Sequence, residues 1–539
     1  MDDRVAEPTI LPPPFEQWFR SRGWTPRAHQ LEALAHVQQG RSVLLVAPTG
    51  GGKTLAGFLP SLVDLATSSS PRGVHTLYVS PLKALAVDVA RNLIKPVEEM
   101  GLDIAIETRT GDTPAHKRRR QRIAPPDILI TTPEQVALMI ADAHAAHLFR
   151  SLQIVVLDEL HALVASKRGA LLSLALARLA RLAPQARRIG LSATVARPET
   201  LQAWLVAQTD RSRVARAELV VGRVGALPEV QILKSVERVP WAGHSARYAM
   251  RELYDTIARA RLALIFVNTR SQAELTFQEL WRINEDSLPI ALHHGSLDVG
   301  QRRRVEAAMA AGKLKAVVCT STLDLGIDWG DVDLVVNIGA PKGSSRLIQR
   351  IGRSNHRLDE PSAAMLVPSN RFEVLECEAA RVAVKEGAQD SDKLSLKKLD
   401  VLAQHILGCA VAGPFDPEEL YREVTSAYAY HGLDRTDFDA VLGFVTNGGY
   451  ALKSYERYAK LKPADEGRLR LAHPRLAQAY RLNVGTIVEE EMLKVRLVHP
   501  RRSNGRLVNL SRSRLLGEME EWFIAGLQVG DTFRFAGEV

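Results

Sequence analysis

Ten short apolar runs, rich in β-branched residues and separated by helical patterns, leave this chain few folds to choose from. Five lie in the first part: Ser42–Pro48, Thr76–Pro81, Asp127–Pro133, Gln153–Glu159 and Arg187–Thr194. Five more come later: Ala263–Thr269, Ile290–Ser296, Ala316–Ser321, Leu334–Pro341 and Ala363–Ser369. Runs of this length between turn residues read as fully buried strands, and their alternation with helices reads as βαβ units around parallel sheets. Val206–Trp241 has no comparable pattern in its first half, so two α/β domains join near 206–225. At roughly 150 residues per domain, 539 residues allow three to four domains.

The texture changes after about residue 390. Asp400–Ala410, Pro417–Tyr428 and Asp434–Gly443 read as amphipathic helices, Gly448-Gly449 as a turn, and a basic strand-like stretch comes next. That is the order of a small helical module with a wing. From Gly485 the chain becomes short strands and turns and stops inside a strand-like segment ending at Val539. The expected division is two α/β domains over 1–205 and 206–390, a winged-helix domain over 391–480, and the incomplete start of a β-rich domain over 481–539.

Charge and cysteine usage exclude several classes. Lys+Arg is 70 against Asp+Glu 61, a net charge of +9, which favours a polyanionic partner. Three cysteines, Cys319, Cys377 and Cys409, are too few for a disulfide scaffold and suit a reducing compartment. They read as core residues. No basic segment with an apolar run after it opens the chain, and no window is long and apolar enough to span a membrane. The expected location is the cytoplasm.

The strongest local signal is Ala47-Pro-Thr49-Gly50-Gly51-Gly52-Lys53-Thr54, directly after the first run. A Gly-rich turn between strand and helix turns backbone N–H groups toward phosphate oxygens. Lys53 can reach the β- and γ-phosphates, and the Thr54 hydroxyl can bind Mg²⁺. The second signal is Asp158-Glu159 at the end of an apolar run. Adjacent carboxylates there are costly without a partner. Mg²⁺ supplies one for Asp158, and Glu159 can polarise the attacking water. ATP and Mg²⁺ are therefore the expected cofactors.

Together with six further motifs, these two resemble the signature of the superfamily 2 helicases, whose fold is two tandem RecA-like domains. Gly23-Trp-Thr-Pro-Arg-Ala-His-Gln30 resembles the adenine-reading motif, which implies that Gln30 contacts the base. Ser80-Pro-Leu-Lys83, Thr131-Thr132-Pro-Glu134 and Thr320-Ser-Thr-Leu-Asp324-Leu-Gly326-Ile-Asp328 resemble motifs that hold the nucleic-acid backbone, the last also touching nucleotide through Gly326 and Asp328. Ser192-Ala-Thr194 is similar to the motif that links hydrolysis to strand binding. Gln349-Arg350-Ile-Gly-Arg353 is similar to the arginine-finger motif, which implies that Arg353, with Arg350, meets charge on the γ-phosphate. The family has a further arginine where this chain has His356, with Arg357 next to it.

Within that superfamily, Asp-Glu-Leu-His161, Arg109-Thr110-Gly111-Asp112-Thr113, His293-His294-Gly-Ser-Leu297, Arg353-Ser-Asn-His-Arg357 and Leu399-Asp-Val-Leu-Ala-Gln404-His405 resemble the large helicase-related (Lhr) group. Asp437–Thr446 and Gly485-Thr-Ile487 are most similar to its bacterial branch associated with DNA ligase. The resemblance implies a 3′-to-5′ single-stranded DNA translocase and helicase acting in DNA repair at the nucleoid, on single strands and tailed duplexes. Lys83, Ser80, Thr110, Gly111, Thr132, Arg270, His294 and Thr320 would contact nucleic acid. A DNA ligase or nuclease is the implied partner. RNA or RNA:DNA hybrid is the alternative substrate, since phosphate contacts judge sugar type poorly. Members of the branch continue well beyond where this chain stops, so a truncated chain is expected.

Other features read more plainly. Lys117-Arg118-Arg119-Arg120 suits a solvated helix face, and Trp18, Phe19 and Trp24 suit packing. His405 reads as structural, and no His/Cys/Asp spacing marks a zinc site.

Overall fold

The computed structural model describes residues 11–48, 50–67, 73–193, 195–210, 212–223, 225–243, 245–324, 332–354, 361–388, 394–448, 459–485, 492–497, 502–503, 506–507, 514–520, 532–533 and 535. The chain divides into two compact units. One comprises Met1–Val224 with Ser391–Val488, the other Gly225–Asp390 with Glu489–Val539.

In the first unit, β1 (Val43–Val46), β2 (Thr76–Val79), β3 (Ile106–Arg109), β4 (Ile128–Thr131), β5 (Ile154–Leu157), β6 (Arg187–Ser192) and β7 (Glu218–Val221) build one sheet. Its order is β3-β4-β2-β5-β6-β1-β7, and every pairing is parallel. Helices cover both faces, so β1, β2, β4 and β5 are buried along their whole length. A parallel sheet buried on both sides needs continuous apolar runs, and these strands supply them.

The second unit repeats the scheme with β8 (Glu229–Ile232), β9 (Ala263–Phe266), β10 (Ile290–His293), β11 (Ala316–Cys319), β12 (Leu334–Ile338) and β13 (Ala363–Val367). The order is β10-β11-β9-β12-β13-β8, again parallel. An antiparallel pair, Met492–Leu497 with Arg514–Glu520, attaches to the loop after β10, where the Glu518 amide donates to the Ser296 carbonyl at 2.9 Å.

Every one of the ten expected runs contains a strand. Three strands of the two sheets lie outside those runs, β3, β7 and β8, and all three are sheet edges. The region after residue 390 forms helices Leu399–Ala412, Pro417–Ser426 and Arg435–Asn447, then β14 (Leu461–Pro463) paired antiparallel with β15 (Leu469–Leu471), and a helix at Arg475–Leu482. The fold class is thus α/β with two parallel sheets, then a winged-helix region and further strands.

One helix joins the first sheet to the winged-helix region. Lys167–Leu182 is capped by Ser166, whose side chain accepts from the Gly169 amide. Its Leu172, Ala175, Leu176 and Leu179 pack on the sheet. Its Ala170, Leu171, Leu174 and Ala177 pack with Val401, Leu402 and Ile406 of the first winged-helix helix. Buried on two sides, it is apolar almost all round, as such a helix must be.

Candidate functional site

The carboxyl edge of the first sheet carries nearly all the polar motif residues of that unit, as open α/β sheets require. Sheet order sorts them. The Gly-rich turn comes after β1, Asp158 and Glu159 after β5, and Ser192 ends β6; these three strands are neighbours. Ser80 comes after β2, Thr110 and Gly111 after β3, and Thr132 after β4, the other three neighbours. One half of the edge gathers the residues expected to meet phosphate and the other half those expected to hold a nucleic-acid strand.

The Gly-rich turn is held from outside by the segment before it. Arg27 Nη1 donates to the Gly50 carbonyl at 3.0 Å, His29 Nε2 lies 2.8 Å from the Gly51 carbonyl, and Gln30 Nε2 donates to the Gly52 carbonyl at 3.3 Å. Three consecutive carbonyls are thus taken by three side chains of one helix start. Gln30 Oε1 also accepts from the Arg27 amide at 2.9 Å. Gly50 and Gly52 have φ of 74° and 73°, which favours glycine. A Cβ on Gly52 would lie 2.8 Å from Gln30 Nε2, the movable end of a side chain, so the positive φ rather than the close approach is what favours glycine there. Lys53 opens the helix Lys53–Thr67 and its Nζ donates to the Ala47 and Pro48 carbonyls at 2.8 and 3.0 Å, across the turn. Thr54 sits next to it on the same helix start.

Asp158 is buried. Its Oδ2 accepts from the Tyr78 hydroxyl at 2.6 Å and its Oδ1 from the Glu159 amide at 2.9 Å. Burial, and then the Glu159 charge, push its carboxyl up to about 7. A buried carboxylate of this kind fits a divalent cation beside phosphates. Glu159 has φ 46° and ψ 46°, a left-handed conformation that a non-glycine residue adopts at a cost of roughly 1–3 kcal/mol. Its Oε2 stands 3.6 Å from His161 Nε2, and His161 Nδ1 stands 3.1 Å from Ser192 Oγ. Glu159 and Ser192 are therefore linked through one imidazole.

At the other half, Ser80 Oγ donates to the Leu82 carbonyl and Ser80 N to the Thr131 carbonyl. Thr132 precedes the helix Pro133–Ile140 at its N-cap. Lys83 Nζ reaches Asp112 Oδ1 at 3.1 Å, and a Cβ on Gly111 would lie 3.0 Å from that Nζ. Arg118 Nη2 donates to the Gly111 carbonyl at 2.6 Å, so this residue of the basic run braces the loop.

In the second unit Arg270 opens the helix Arg270–Arg282 and donates to Ser296 Oγ at 3.0 Å. His294 Nε2 pairs with Glu274 Oε1 at 3.0 Å, both buried. Thr320 caps a short turn after β11. Arg350 is buried, donating to Asp324 Oδ1 at 2.8 Å and to Asn337 Oδ1, with its guanidinium 4.7 Å over the Phe266 ring. Arg353 comes just after the same helix, Ser344–Ile351, and is also buried. Thr49, Thr194, Gly326, Asp328, His356 and Arg357 lie outside the described residues.

The sequence alone does not reveal Tyr78, Arg27 or His29. Tyr78 stands inside an apolar run, where nothing separates a working phenol from a packing one. Arg27 and His29 lie in the adenine-type motif, but their backbone targets become visible only in three dimensions.

Three family models match: DEAD/DEAH box helicase over residues 27–202, helicase conserved C-terminal domain over 247–357, and the winged helix domain of large helicase-related protein over 382–539. Similar proteins include the ATP-dependent helicase Lhr-Core protein 2 of Thermococcus barophilus, 34% identical over 99% of this chain. The Lhr helicase/probable uracil glycosylase of Mycolicibacterium smegmatis is 32% identical over 96% of this chain. The chain spans 62% of the length of the first and 36% of the second. The solved Mycobacterium smegmatis helicase Lhr bound to single-stranded DNA and AMP-PNP superposes with a TM-score of 0.79 at 34% identity, covering 90% of this chain and 63% of that one. On these motifs, this fold and these matches, the chain belongs to the large helicase-related (Lhr) family of superfamily 2 helicases.

Proposed function

We propose that this chain is the motor part of an ATP-dependent, 3′-to-5′ single-stranded DNA translocase and helicase. The observation that carries the reading is the division of one sheet edge into a phosphate half on β1, β5 and β6 and a strand half on β2, β3 and β4. Movement of either half reaches the other through rigid strands and the Tyr78–Asp158 bond.

In this reading the amides of the Gly50–Gly52 turn and of the helix start after it bind the triphosphate. Lys53 exchanges its loop carbonyls for phosphate oxygens. Thr54 and Asp158 would hold Mg²⁺, which neutralises phosphate charge when bound. Glu159 orients and deprotonates the attacking water. His161 couples the position of Glu159 to Ser192, which shares its motif with Thr194. Arg353 is assigned as the finger, and Arg350 as a positioning residue that holds Asp324. Ser80, Lys83, Thr110, Gly111, Thr132, Arg270, His294 and Thr320 hold the phosphate backbone without reading bases. The mycobacterial relative bound to single-stranded DNA and AMP-PNP supports DNA and a nucleoside triphosphate as ligands. A role in DNA repair beside a ligase or nuclease rests on the branch resemblance.

The test is ATP turnover with single-stranded DNA, RNA and duplex, and then strand displacement on duplexes with 3′ or 5′ tails. Stimulation by single-stranded DNA and displacement from 3′ tails are expected. Stimulation by RNA alone, or a preference for 5′ tails, would overturn the reading.

A further inference from the structure

Far from the Gly-rich turn in sequence, the winged-helix region carries a cluster that the motor reading does not use. His405 and Cys409 are one turn apart on the helix Leu399–Ala412 and therefore share a face. Glu423, on the helix Pro417–Ser426, faces them. Cys409 Sγ is 3.6 Å from His405 Nε2, and that nitrogen is 3.7 Å from Glu423 Oε1. All three donor atoms lie within 4.8 Å of one another, and all three residues are buried.

Two observations point to a ligand. The first is the carboxylate. Glu423 Oε2 accepts from Arg178 Nη1 at 3.0 Å and from Arg181 Nη1 at 3.1 Å. Among the described residues Oε1 has no hydrogen-bond partner, although the Glu423 side chain is 0% exposed. Its polar neighbour is His405 Nε2, at ion-pair range rather than hydrogen-bond distance, and a cation held between imidazole, thiol and carboxylate would complete the shell of this buried oxygen. The second is spacing. Zinc takes sulfur at about 2.3 Å and nitrogen or oxygen at about 2.0–2.1 Å, so a tetrahedral S···N edge is about 3.6 Å and an N···O edge about 3.3 Å. The S···N and N···O pairs stand close to those edges.

We propose that His405 Nε2, Cys409 Sγ and Glu423 Oε1 form a three-ligand site for a borderline-soft divalent transition metal, zinc foremost. A mixed N, S and O donor set suits zinc over magnesium or calcium, which prefer all-oxygen shells. On binding, the Cys409 thiol proton and the proton on His405 Nε2 go to solvent and three coordinate bonds form, with no change of oxidation state. Thiolate and carboxylate together balance the two positive charges. Arg178 and Arg181 stay on Oε2 as outer-shell partners that orient the carboxylate. The Tyr480 hydroxyl packs directly against Gly408, leaving no room for a Cβ there, and closes the region beside Cys409. The metal pins two winged-helix helices together and, through the arginines, ties them to the helix Lys167–Leu182 of the first sheet. The sequence hides the site because its third ligand is on another helix, at no motif spacing.

The test uses the full chain, purified and dialysed against metal-free buffer, then given zinc or cobalt alone. About one zinc per chain by elemental analysis is expected, together with a thiolate-to-cobalt absorption band on cobalt substitution. Cys409→Ser and His405→Gln should each lose the band and lower zinc affinity by about 10-fold or more, while Cys319→Ser keeps both. Far-UV circular dichroism establishes that each variant is folded. Failure of the folded wild type to take up zinc at micromolar free metal would overturn the proposal. So would a Cys409→Ser variant that binds zinc and gives the cobalt band as the wild type does.

Discussion

Tyr78 on β2 donates its phenolic hydrogen to Oδ2 of Asp158, at the end of β5, across 2.6 Å. The two strands are neighbours at the point where the strand half of the sheet edge meets the phosphate half. The ring is fully buried and stacked on Phe58, with centroids 4.6 Å apart, so the hydroxyl cannot move away without moving the core. Burial, with the Asp158 and Glu159 carboxylates beside it, raises the phenol well above its ordinary value, and it stays a donor at every working pH.

Tyr78→Phe keeps the stacked ring and removes only that donor. Loss of one hydrogen bond to a buried carboxyl costs about 1–3 kcal/mol of stability. An outer-shell partner of this kind is worth roughly tenfold in metal affinity or turnover. The expected result is a higher Mg²⁺ requirement for ATP turnover, with DNA affinity unchanged. A Mg²⁺ titration of the steady-state rate checks it, and an unchanged curve would remove Tyr78 from the site.

Asp158 also makes a pH prediction. Its folded-state carboxyl sits near 7 because it is desolvated, whereas in the unfolded chain it titrates near about 4. The folded protein therefore holds a proton that the unfolded chain has lost between about 4 and about 7. The resulting stability is complete below that window and lost as pH rises through it. Asp158→Asn has no such proton. Without nucleotide, the wild type should lose more stability than Asp158→Asn between about pH 5 and about pH 8, read from denaturant midpoints. Parallel losses would mean that Asp158 is ionised in the empty protein.

Gly169 shows what holds the Asp-Glu segment in place. A Cβ there would overlap the Leu163 carbonyl, a clash with backbone rather than with a flexible tip. Leu163 belongs to the short helix Leu160–Val164, which carries His161 two residues after Glu159. Gly169→Ala must push that helix away, at a cost of about 1–3 kcal/mol by analogy with overpacked cores. Thermal unfolding should show the loss, and ATP turnover should fall with it even where the variant remains folded.

How much of the fold and the site is legible depends on burial. Central strands such as β1 and β5 are covered on both faces, and burial forces the apolar runs that a reader can see. β3, β7 and β8 are sheet edges with partly exposed residues, such as Glu229 and Gln231 on β8, so no run exists to be read. β7 lies in the stretch without a sequence pattern. The Gly-rich turn and the Asp-Glu pair are readable because phosphate and metal chemistry fixes residue type at fixed spacing. Tyr78, Arg27 and Glu423 are not, because each acts on a partner far away in sequence. Arg350 and Arg353 share one motif; only the structure separates them, by putting Arg350 between Asp324 and Asn337.

That separation is testable. Arg350→Ala leaves the buried Asp324 only the half-exposed Arg346, 3.7 Å away, and breaking a buried pair from one side costs up to about 3–5 kcal/mol. Its main effect should be a lower melting temperature. Arg353→Ala should instead lower the DNA-stimulated rate by about 10³ or more with little change in ATP affinity, the size expected of a finger. A larger stability loss from Arg353→Ala than from Arg350→Ala would exchange the two roles.

Lys83 and Asp112 give the sharpest test of the strand half. Their 3.1 Å pair is exposed, with 56% and 68% of the side chains in solvent, so it contributes little to folding. Its consequence should fall on DNA. If Lys83 binds a phosphate, Asp112 competes for the same cation in the empty protein. Lys83→Ala should then weaken single-stranded DNA binding equally for all base compositions and lower the salt slope by about one unit. Asp112→Ala should do the opposite, tightening binding at low salt, because the cation no longer has to leave a carboxylate. Fluorescence anisotropy with labelled oligonucleotides across a salt series reads both. Weaker binding by Asp112→Ala would show that the carboxylate positions Lys83 for the strand rather than competing with it.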